Sequence, residues 1–537
     1  MGNLTMPDRP NFLFIITDQH KADHLGCYGN PMVRTPNIDS LSQNGLTFDS
    51  FYAASPICMP NRATLMTGRM PSCHGVHYNG VPLSADNITF VELLRSAGYR
   101  TGLIGKCHLQ PMMDIELSNS QLWPDTLAGK PPPSKYKSAV RNNLDRPEYD
   151  QERAGVWAAD PGHAPVTPYY GFDHLRFANF HADLAHGHYR RWLDERHPNP
   201  DTIRGPENAI KDNSYSVRKG WRTKMPEDLY PTTYIAEEAI SYLHDRAEAS
   251  NEEPFFLQCS FPDPHAPLTP PGKYWDLYNP GALDLPVSFD HIDPHEPTFI
   301  QRIRESQDQS NKVPAPITPG EKEAREMIAL TYGMVTMVDD AIGRILAALE
   351  NLSLSRNTVI IFTADHGDMG GEHGLFGKFG VHYEAVLKVP FIWNDPDLAP
   401  EGRTDMLGGT IDIGSSILAR AGVANTYGVQ GFDIVSLART DKAPERAGII
   451  SEEDQVSEQV NGMGAQRIWS FIHDNWRLSL WYGDDTGHLF DRESDPAEMN
   501  NLWFDPAYEA KKAELIELML RERMRLEDTL PLTTRFA

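Results

Sequence analysis

The sequence predicts an α/β protein: a large, mostly parallel central sheet flanked by helices, and a small C-terminal antiparallel sheet with a helix. Three apolar runs, at residues 11–17, 254–259 and 358–363, carry the first part of this prediction. Uninterrupted apolar strands are typical of parallel sheets that are covered on both faces. Small and apolar residues at helical spacing over 321–349 predict one of the covering helices.

The C-terminal part has a different pattern. Four short strand-like segments precede a charged amphipathic stretch at 507–527, which predicts a helix beside a small antiparallel sheet. We expect a main domain over residues 1–440, with a polar insertion at about 112–224, and a C-terminal α+β subdomain with a tail over 441–537. The insertion is either a surface subdomain or a wall that shapes access to a site.

Composition excludes some classes of function. The 537 residues carry a formal net charge of −25, which argues against partners such as nucleic acid or an anionic membrane. The five cysteines are odd in number and irregularly spaced, so neither a disulfide framework nor a zinc motif is expected. The N-terminus lacks a signal-peptide pattern and no apolar run has transmembrane length, which predicts a cytoplasmic protein.

Cys58 begins the stretch on which the functional prediction depends. Pro60 fits the first turn of a short helix and Gly68 fits its end, so Cys58 is expected just ahead of a helix N-terminus. Free N–H groups and the helix dipole favour an anion there, and Arg62 on the first turn can reach the same place. A half-buried structural cysteine is the alternative that this local pattern leaves open.

Polar and titratable residues follow two of the predicted strands. Asp18 and Gln19 follow the first apolar run, and Asp365 and His366 follow the last. Because the carboxyl ends of parallel strands share one sheet edge, we expect these residues to lie together. A helix-capping role is the alternative for Asp18.

Other candidates follow strands or lie on the loops between them. Lys106 and His108 come after a short strand, and in an extended chain their side chains would point to one side. His265 lies between prolines after the run at 254–259, and Lys378 ends a glycine-rich loop. Taken singly, Lys106 and His108 fit a solvent-facing pair better than a site, and His265 fits a structural role better.

Taken together, these residues resemble the type I sulfatases of the alkaline phosphatase superfamily. The motif C-x-P-x-R at Cys58, followed by Ala-Thr-Leu-Met-Thr-Gly-Arg, resembles the family signature, in which the cysteine is oxidised to formylglycine and the aldehyde hydrate is the nucleophile. The Gly-Lys-x-His element at 105–108 and the Pro-His-x-Pro element around His265 resemble the family too. The resemblance extends over most of the chain and implies an alkaline-phosphatase-like fold.

The resemblance also implies a role for each site residue. One divalent cation would be bound by Asp18, Gln19, Asp365, His366 and the modified residue derived from Cys58. Oxygen-rich ligation suits calcium, and manganese is the alternative because an imidazole and a neutral amide take part. The implied catalytic residues are Cys58, Arg62, Lys106, His108, His265 and Lys378, with Asn79 as a substrate-binding residue.

Three functions compete at this stage. The first is hydrolysis of small anionic sulfate esters, as in arylsulfatases; the alternative is a phosphonate monoester hydrolase or phosphodiesterase that uses the same site. Gln19, where many sulfatases have a second aspartate, resembles the alternative, whereas Lys106 and His108 match the arylsulfatase form. The third is a non-enzymatic protein with unmodified Cys58, against which the nearly complete set of charged residues argues. We also expect a formylglycine-generating enzyme as a partner, and a homo-oligomer.

Overall fold

The computed structural model describes residues 9–114, 146–212, 214–249, 253–306, 316–398, 402–455 and 466–533. Residues 115–145 of the predicted insertion and 534–537 of the predicted tail lie outside these ranges. All five cysteines are described, and all are free thiols. Among the helices of the described ranges, none combines the length and apolarity needed to cross a bilayer.

The strands form one large sheet, one smaller sheet and a two-stranded ladder. In chain order they are β1 Asn11–Thr17, β2 Leu46–Phe48, β3 Phe51–Tyr52, β4 Arg100–Gly105, β5 His174–Phe177, β6 Phe255–Phe261, β7 Thr358–Ala364, β8 Phe391–Asn394, β9 Gly402–Thr404, β10 Gly408–Gly409, β11 Ile449–Gln455, β12 Gln466–His473, β13 Trp476–Trp481 and β14 Gly487–Asp491. The large sheet has the order β5-β4-β6-β1-β7-β8-β2-β9, and the smaller one β11-β12-β13-β14.

The large sheet is mostly parallel, which confirms the predicted fold class. β1 lies at its centre, between β6 and β7, and Thr17 pairs with Phe261 on one side and with Ala364 on the other. β4 and β5 continue the parallel order beyond β6. β8 is the exception, since it runs antiparallel to both β7 and β2.

Helices cover both faces of this sheet. In chain order, the α-helices of the described residues are α1 Pro36–Gln43, α2 Cys58–Thr67, α3 Pro71–His74, α4 Phe90–Ser96, α5 Ala154–Ala159, α6 His188–Arg196, α7 Pro231–Glu248, α8 Thr298–Glu305, α9 Glu321–Asn351, α10 Glu384–Leu387, α11 Ile413–Arg420, α12 Ile434–Arg439 and α13 Glu509–Arg525. On β1, Leu13 and Ile15 pack with α7 and α9, whereas Phe12 and Phe14 pack with α4 and α11. Every β1 side chain is therefore buried, as the apolar run predicts.

The C-terminal part is the predicted antiparallel sheet with a helix. β11 to β14 pair antiparallel in sequence order, and Leu515 and Met519 of α13 pack with residues of that sheet. The backbone N–H of Glu452 on β11 donates to the Ala54 carbonyl at 2.8 Å, so this sheet bonds directly to the segment before α2. The domain division at residue 440 stays a prediction.

Part of the predicted insertion belongs to the large sheet. Within the described residues of 112–224, β5 forms the edge strand beside β4. Trp157 of α5 packs against Phe177 of β5, and Trp192 of α6 packs against Tyr234 of α7. This segment therefore lies over the carboxyl end of β4, where the sequence places Lys106 and His108.

Candidate active site

The carboxyl ends of the central strands meet at one edge of the large sheet. Asp365 follows β7, and its backbone N–H donates to the Thr17 carbonyl at the end of β1 at 3.0 Å. Asp18 follows β1, and its N–H donates to the Asp263 carbonyl after β6 at 3.3 Å. The backbone of His20 donates to His366 at 2.9 Å. The structure thus brings the predicted residues of β1 and β7 together.

Cys58 is the first residue of α2 and is buried beside these strand ends. Pro60 lies in the first turn, and Gly68, with φ of 64°, ends the helix in the left-handed region, as the sequence predicts. The Cys58 Sγ lies 2.7 Å from the Lys378 Nζ, 3.2 Å from the His366 Nε2 and 3.8 Å from an Asp18 carboxylate oxygen. A strand end, a helix start and the glycine-rich loop therefore converge on one sulfur atom.

Four buried side chains have a composition that can hold a metal ion. One ligand atom from each of Asp18, Cys58, Asp365 and His366 lies within 4.8 Å of the others. Two carboxylates and one imidazole suit a divalent cation that accepts oxygen and nitrogen ligands. The donor set therefore fits the predicted cation, and Cys58 lies within the same cluster.

Two cationic side chains pair with the two carboxylates. Arg62 Nε donates to Asp365 at 2.8 Å, its Nη2 lies 3.5 Å from Asp18, and Lys106 forms a buried ion pair with Asp18. Burial alone would raise the pKa of Asp18, but Lys106 and His265, with smaller contributions that include Lys378, hold it well below its usual range. Asp18 is thus an anion held among cations.

Neighbouring cationic groups also act on the Cys58 thiol. Burial and the Asp18 carboxylate act to raise the pKa of Cys58, but Lys378, Lys106 and His366 lower it well below its usual range. A negative charge at residue 58 is therefore stabilised by this environment.

Gln19 lies beside the metal-ligand cluster, and its side chain is bonded elsewhere. Its φ of 58° places the backbone in the left-handed region, and its N–H donates to Asp365 at 3.0 Å. The side-chain amide donates to Asp368 at 2.5 Å. Metal ligation by Gln19 stays a prediction. Asp368 was not predicted as a site residue, although it lies two residues after His366.

Lys106 and His108 both reach the site, but not through an extended chain. His108 has a φ of 61°, because a buried carboxyl group of Glu152 accepts the backbone N–H groups of His108, Leu109 and Gln110 at 2.7 to 3.1 Å. The expectation of an extended Lys106–His108 segment is therefore wrong. Burial and Lys106 lower the pKa of His108 to about 3, against the opposing effect of Cys58.

A pair of stacked imidazoles forms one wall of the site. The rings of His265 and His181 lie 3.7 Å apart at 5° to each other, and the His181 Nε2 is 2.8 Å from the Lys106 Nζ. Together with Asp18 they form a second cluster of close ligand atoms. His181 was missed from the sequence, because it lies in an irregular segment where no motif distinguishes it.

The remaining predicted residue, Asn79, contacts the start of α2. Its side-chain oxygen accepts the Met59 N–H at 3.1 Å, so it holds the first turn of the helix that carries Cys58. Substrate binding by Asn79 stays a prediction. Asn61, another missed residue, bonds to the Asp365 carbonyl, and its side-chain oxygen accepts from Ala54 and Thr410.

Family models match nearly all of the described chain. A model described as Sulfatase matches residues 10–423, and one described as N-sulphoglucosamine sulphohydrolase, C-terminal, matches residues 371–525. The first covers every predicted site residue, and the second covers the loop of Lys378 and the C-terminal sheet.

Curated relatives and solved structures match the chain over its length. An arylsulfatase of Clostridium perfringens is 28% identical over 523 residues, which is 96% of this chain and 94% of that protein. A multifunctional alkaline phosphatase superfamily protein of Trinickia caryophylli is 25% identical, covering 96% and 95%. The crystal structure of the phosphonate monoester hydrolase of Agrobacterium radiobacter shares the fold, with a TM-score of 0.75, 23% identity and 98% of each chain covered.

Proposed function

The chain belongs to the sulfatase family of the alkaline phosphatase superfamily, which makes it a sulfuric ester hydrolase, and we propose that it cleaves small sulfate esters of arylsulfatase type. The proposed nucleophile is formylglycine made from Cys58 by a separate modifying enzyme. The proposed cofactor is one divalent cation, calcium or alternatively manganese.

One observation carries this proposal. The Cys58 Sγ, at the start of the C-x-P-x-R helix, lies within 4 Å of Lys378, His366 and an Asp18 oxygen. A neutral structural cysteine gains little from a buried cation at 2.7 Å, whereas a reacting group that carries negative charge is stabilised by it. The two buried carboxylates beside it would repel that charge and instead suit a bound metal cation.

The two groups that the site would receive supply specific chemistry. Formylglycine supplies an aldehyde whose hydrate offers two hydroxyl groups in place of the thiol, and the bound cation lowers the pKa of a hydroxyl. The chain would hold the cation through Asp18, Asp365 and His366, with Gln19 as a further predicted ligand.

The cationic side chains bind and stabilise the ester anion. Lys378 contacts Cys58 and His366, and Lys106 contacts Asp18 and His181, so the ligand cluster has two lysines beside it. Fixed cations in a water-poor site stabilise charge that develops on a transferring group. Arg62, bonded to Asp365, Ser260 and the Lys106 carbonyl, is held rigidly beside them.

His265 and His108 are the residues proposed to transfer protons. His265 is proposed to protonate the departing oxygen, and the face-to-face contact with His181 fixes the plane of its ring. His108 is proposed to accept a proton from residue 58. The side chain of Cys58 acts on the pKa of His108, which supports this role because the two groups interact directly.

A second function is favoured by one specific residue. Gln19 occupies the place of a carboxylate of many sulfatases and lowers the negative charge beside the cation. Phosphonate monoesters and phosphodiesters are, like sulfate esters, monoanions with a tetrahedral centre, so the same cations could bind them. The multifunctional relative and the fold shared with the phosphonate monoester hydrolase are consistent with this alternative.

A substrate panel tests the proposal. The purified protein, produced together with a formylglycine-generating enzyme and supplied with calcium or manganese, is assayed with 4-nitrophenyl esters of sulfate, phenylphosphonate, phenyl phosphate and phosphate. We expect the sulfate ester to give the highest kcat/KM. A higher value for the phosphonate or the diester would favour the second function, and a higher value for the phosphate monoester would contradict both.

A further inference from the structure

The loop that carries Lys378 has an unusual backbone. Phe379 has a φ of 80°, and Gly377 and Gly380 on either side have φ of 102° and 72°. A left-handed conformation is rare for an aromatic residue and persists only where the surroundings enforce it. A side chain at Gly380 is impossible without movement, since its Cβ would lie 1.8 Å from the Phe299 ring.

The buried carboxyl group of Glu453 holds this turn by hydrogen bonding. Both side-chain oxygens of Glu453 accept the backbone N–H of Gly380 at 3.0 Å. The His382 Nε2 lies 3.3 Å from the same group, and the other ring nitrogen of His382 bonds to Ser470 on β12 at 2.8 Å. Glu453 is fully buried, so bulk water does not compete with it as the acceptor.

Glu453 belongs to the C-terminal sheet. Glu453 lies on β11, whereas Lys378 lies on the loop after β7. Its neighbour Glu452 has a different set of partners, Ser72 and Arg523, away from that loop. Successive strand residues point to opposite faces, which explains why only one of this pair reaches the loop.

We propose that Glu453 is a positioning residue for Lys378: it holds the left-handed turn at Phe379 that aims the lysine Nζ at residue 58. This rests on the role of Lys378 in the proposed function. The C-terminal sheet thereby contacts the loop of the proposed catalytic site at Gly380, which lies two residues after the buried Lys378. A displacement of about 1 Å at a reacting group can cost about 10²-fold in rate.

The test compares Glu453→Ala and Glu453→Gln with the control Glu452→Gln, using kcat and KM for 4-nitrophenyl sulfate and the thermal unfolding midpoint. Glu453→Ala should lower kcat about 10²-fold, and Glu453→Gln, which keeps one acceptor oxygen, should lower it about tenfold. The control should keep the wild-type kcat. If Glu453→Ala does not fold, the Gln variant decides.

A double variant separates positioning from stability. In a Lys378→Ala background, Glu453→Ala should lower kcat little further, because both changes remove the same interaction. Fully multiplicative losses, or a lower unfolding midpoint with wild-type kcat, would overturn the proposal.

A crystal structure of Glu453→Gln adds a measurement that does not depend on activity: the Lys378 Nζ should move away from residue 58. If the wild type lacks sulfatase activity, the proposed function fails, whereas an unmoved Lys378 refutes the positioning role alone.

Discussion

Replacement of Lys378 by alanine tests the electrostatics of the site most sharply. The Nζ lies 2.7 Å from the Cys58 Sγ and 2.6 Å from the His366 Nε2, and the residue is only 2% exposed. Two unit charges at about 4 Å interact by about 4 kcal/mol at an effective dielectric constant of about 20. Loss of one such fixed donor typically costs about 10² to 10³ in kcat. We therefore expect kcat/KM for 4-nitrophenyl sulfate to fall by about 10²- to 10³-fold.

The assay needs two controls. Lys322→Ala, at a lysine on α9 whose side chain is 75% exposed, should retain wild-type activity. Lys378→Arg keeps the charge but changes its shape, so it should retain part of the activity. The mass of the residue-58 peptide must match the wild type, so that a loss of modification is not counted as a loss of catalysis. A fall of less than about tenfold in fully modified, folded Lys378→Ala would refute the electrostatic role.

Three further outcomes follow from the structure. Exhaustive chelation should abolish activity, and one equivalent of calcium or manganese per chain should restore it; active protein without a bound divalent ion, measured by elemental analysis, would contradict the cation site. His265→Ala should slow esters with poor leaving groups more than nitrophenyl esters, because a general acid matters in proportion to charge on the departing oxygen; an equal loss across a leaving-group series would exclude that role. Gly105→Ala should lower the free energy of unfolding by about 2 to 4 kcal/mol, since its Cβ would lie 1.9 Å from the Ser260 carbonyl oxygen. Gly98→Ala is the matched control, because Gly98 has a similar φ of 91° but no atom within 4 Å of the added Cβ, and equal losses would refute the steric argument.

Much of the fold was predictable because its strands are buried on both faces. The apolar runs at β1 and β7 leave no ambiguity about burial, and the aspartates that follow them mark the sheet edge. Local chemistry likewise fixes α2, where Pro60 suits the first turn and Gly68 the last. These signals lie within a few residues of the features they predict.

The contacts that were missed depend on residues far apart in sequence. The turn at His108 is set by Glu152, 44 residues away, and the imidazole beside His265 comes from His181, 84 residues earlier. The acceptor for the Gly380 N–H is Glu453, 73 residues later. A sequence pattern reports local periodicity and composition, so it carries no signal for such partners until the chain is folded.

The nucleophile is proposed to be made from Cys58, and a paired measurement of modification and activity checks this origin. The protein is produced with and without a formylglycine-generating enzyme, the converted fraction is read from the mass of the Cys58 peptide, and kcat for 4-nitrophenyl sulfate is measured on the same samples, with Cys58→Ala as the blank. We expect kcat to rise in proportion to the converted fraction and the blank to lose several orders of magnitude. Full activity in protein that retains the thiol, or activity of Cys58→Ala within about tenfold of wild type, would contradict the account.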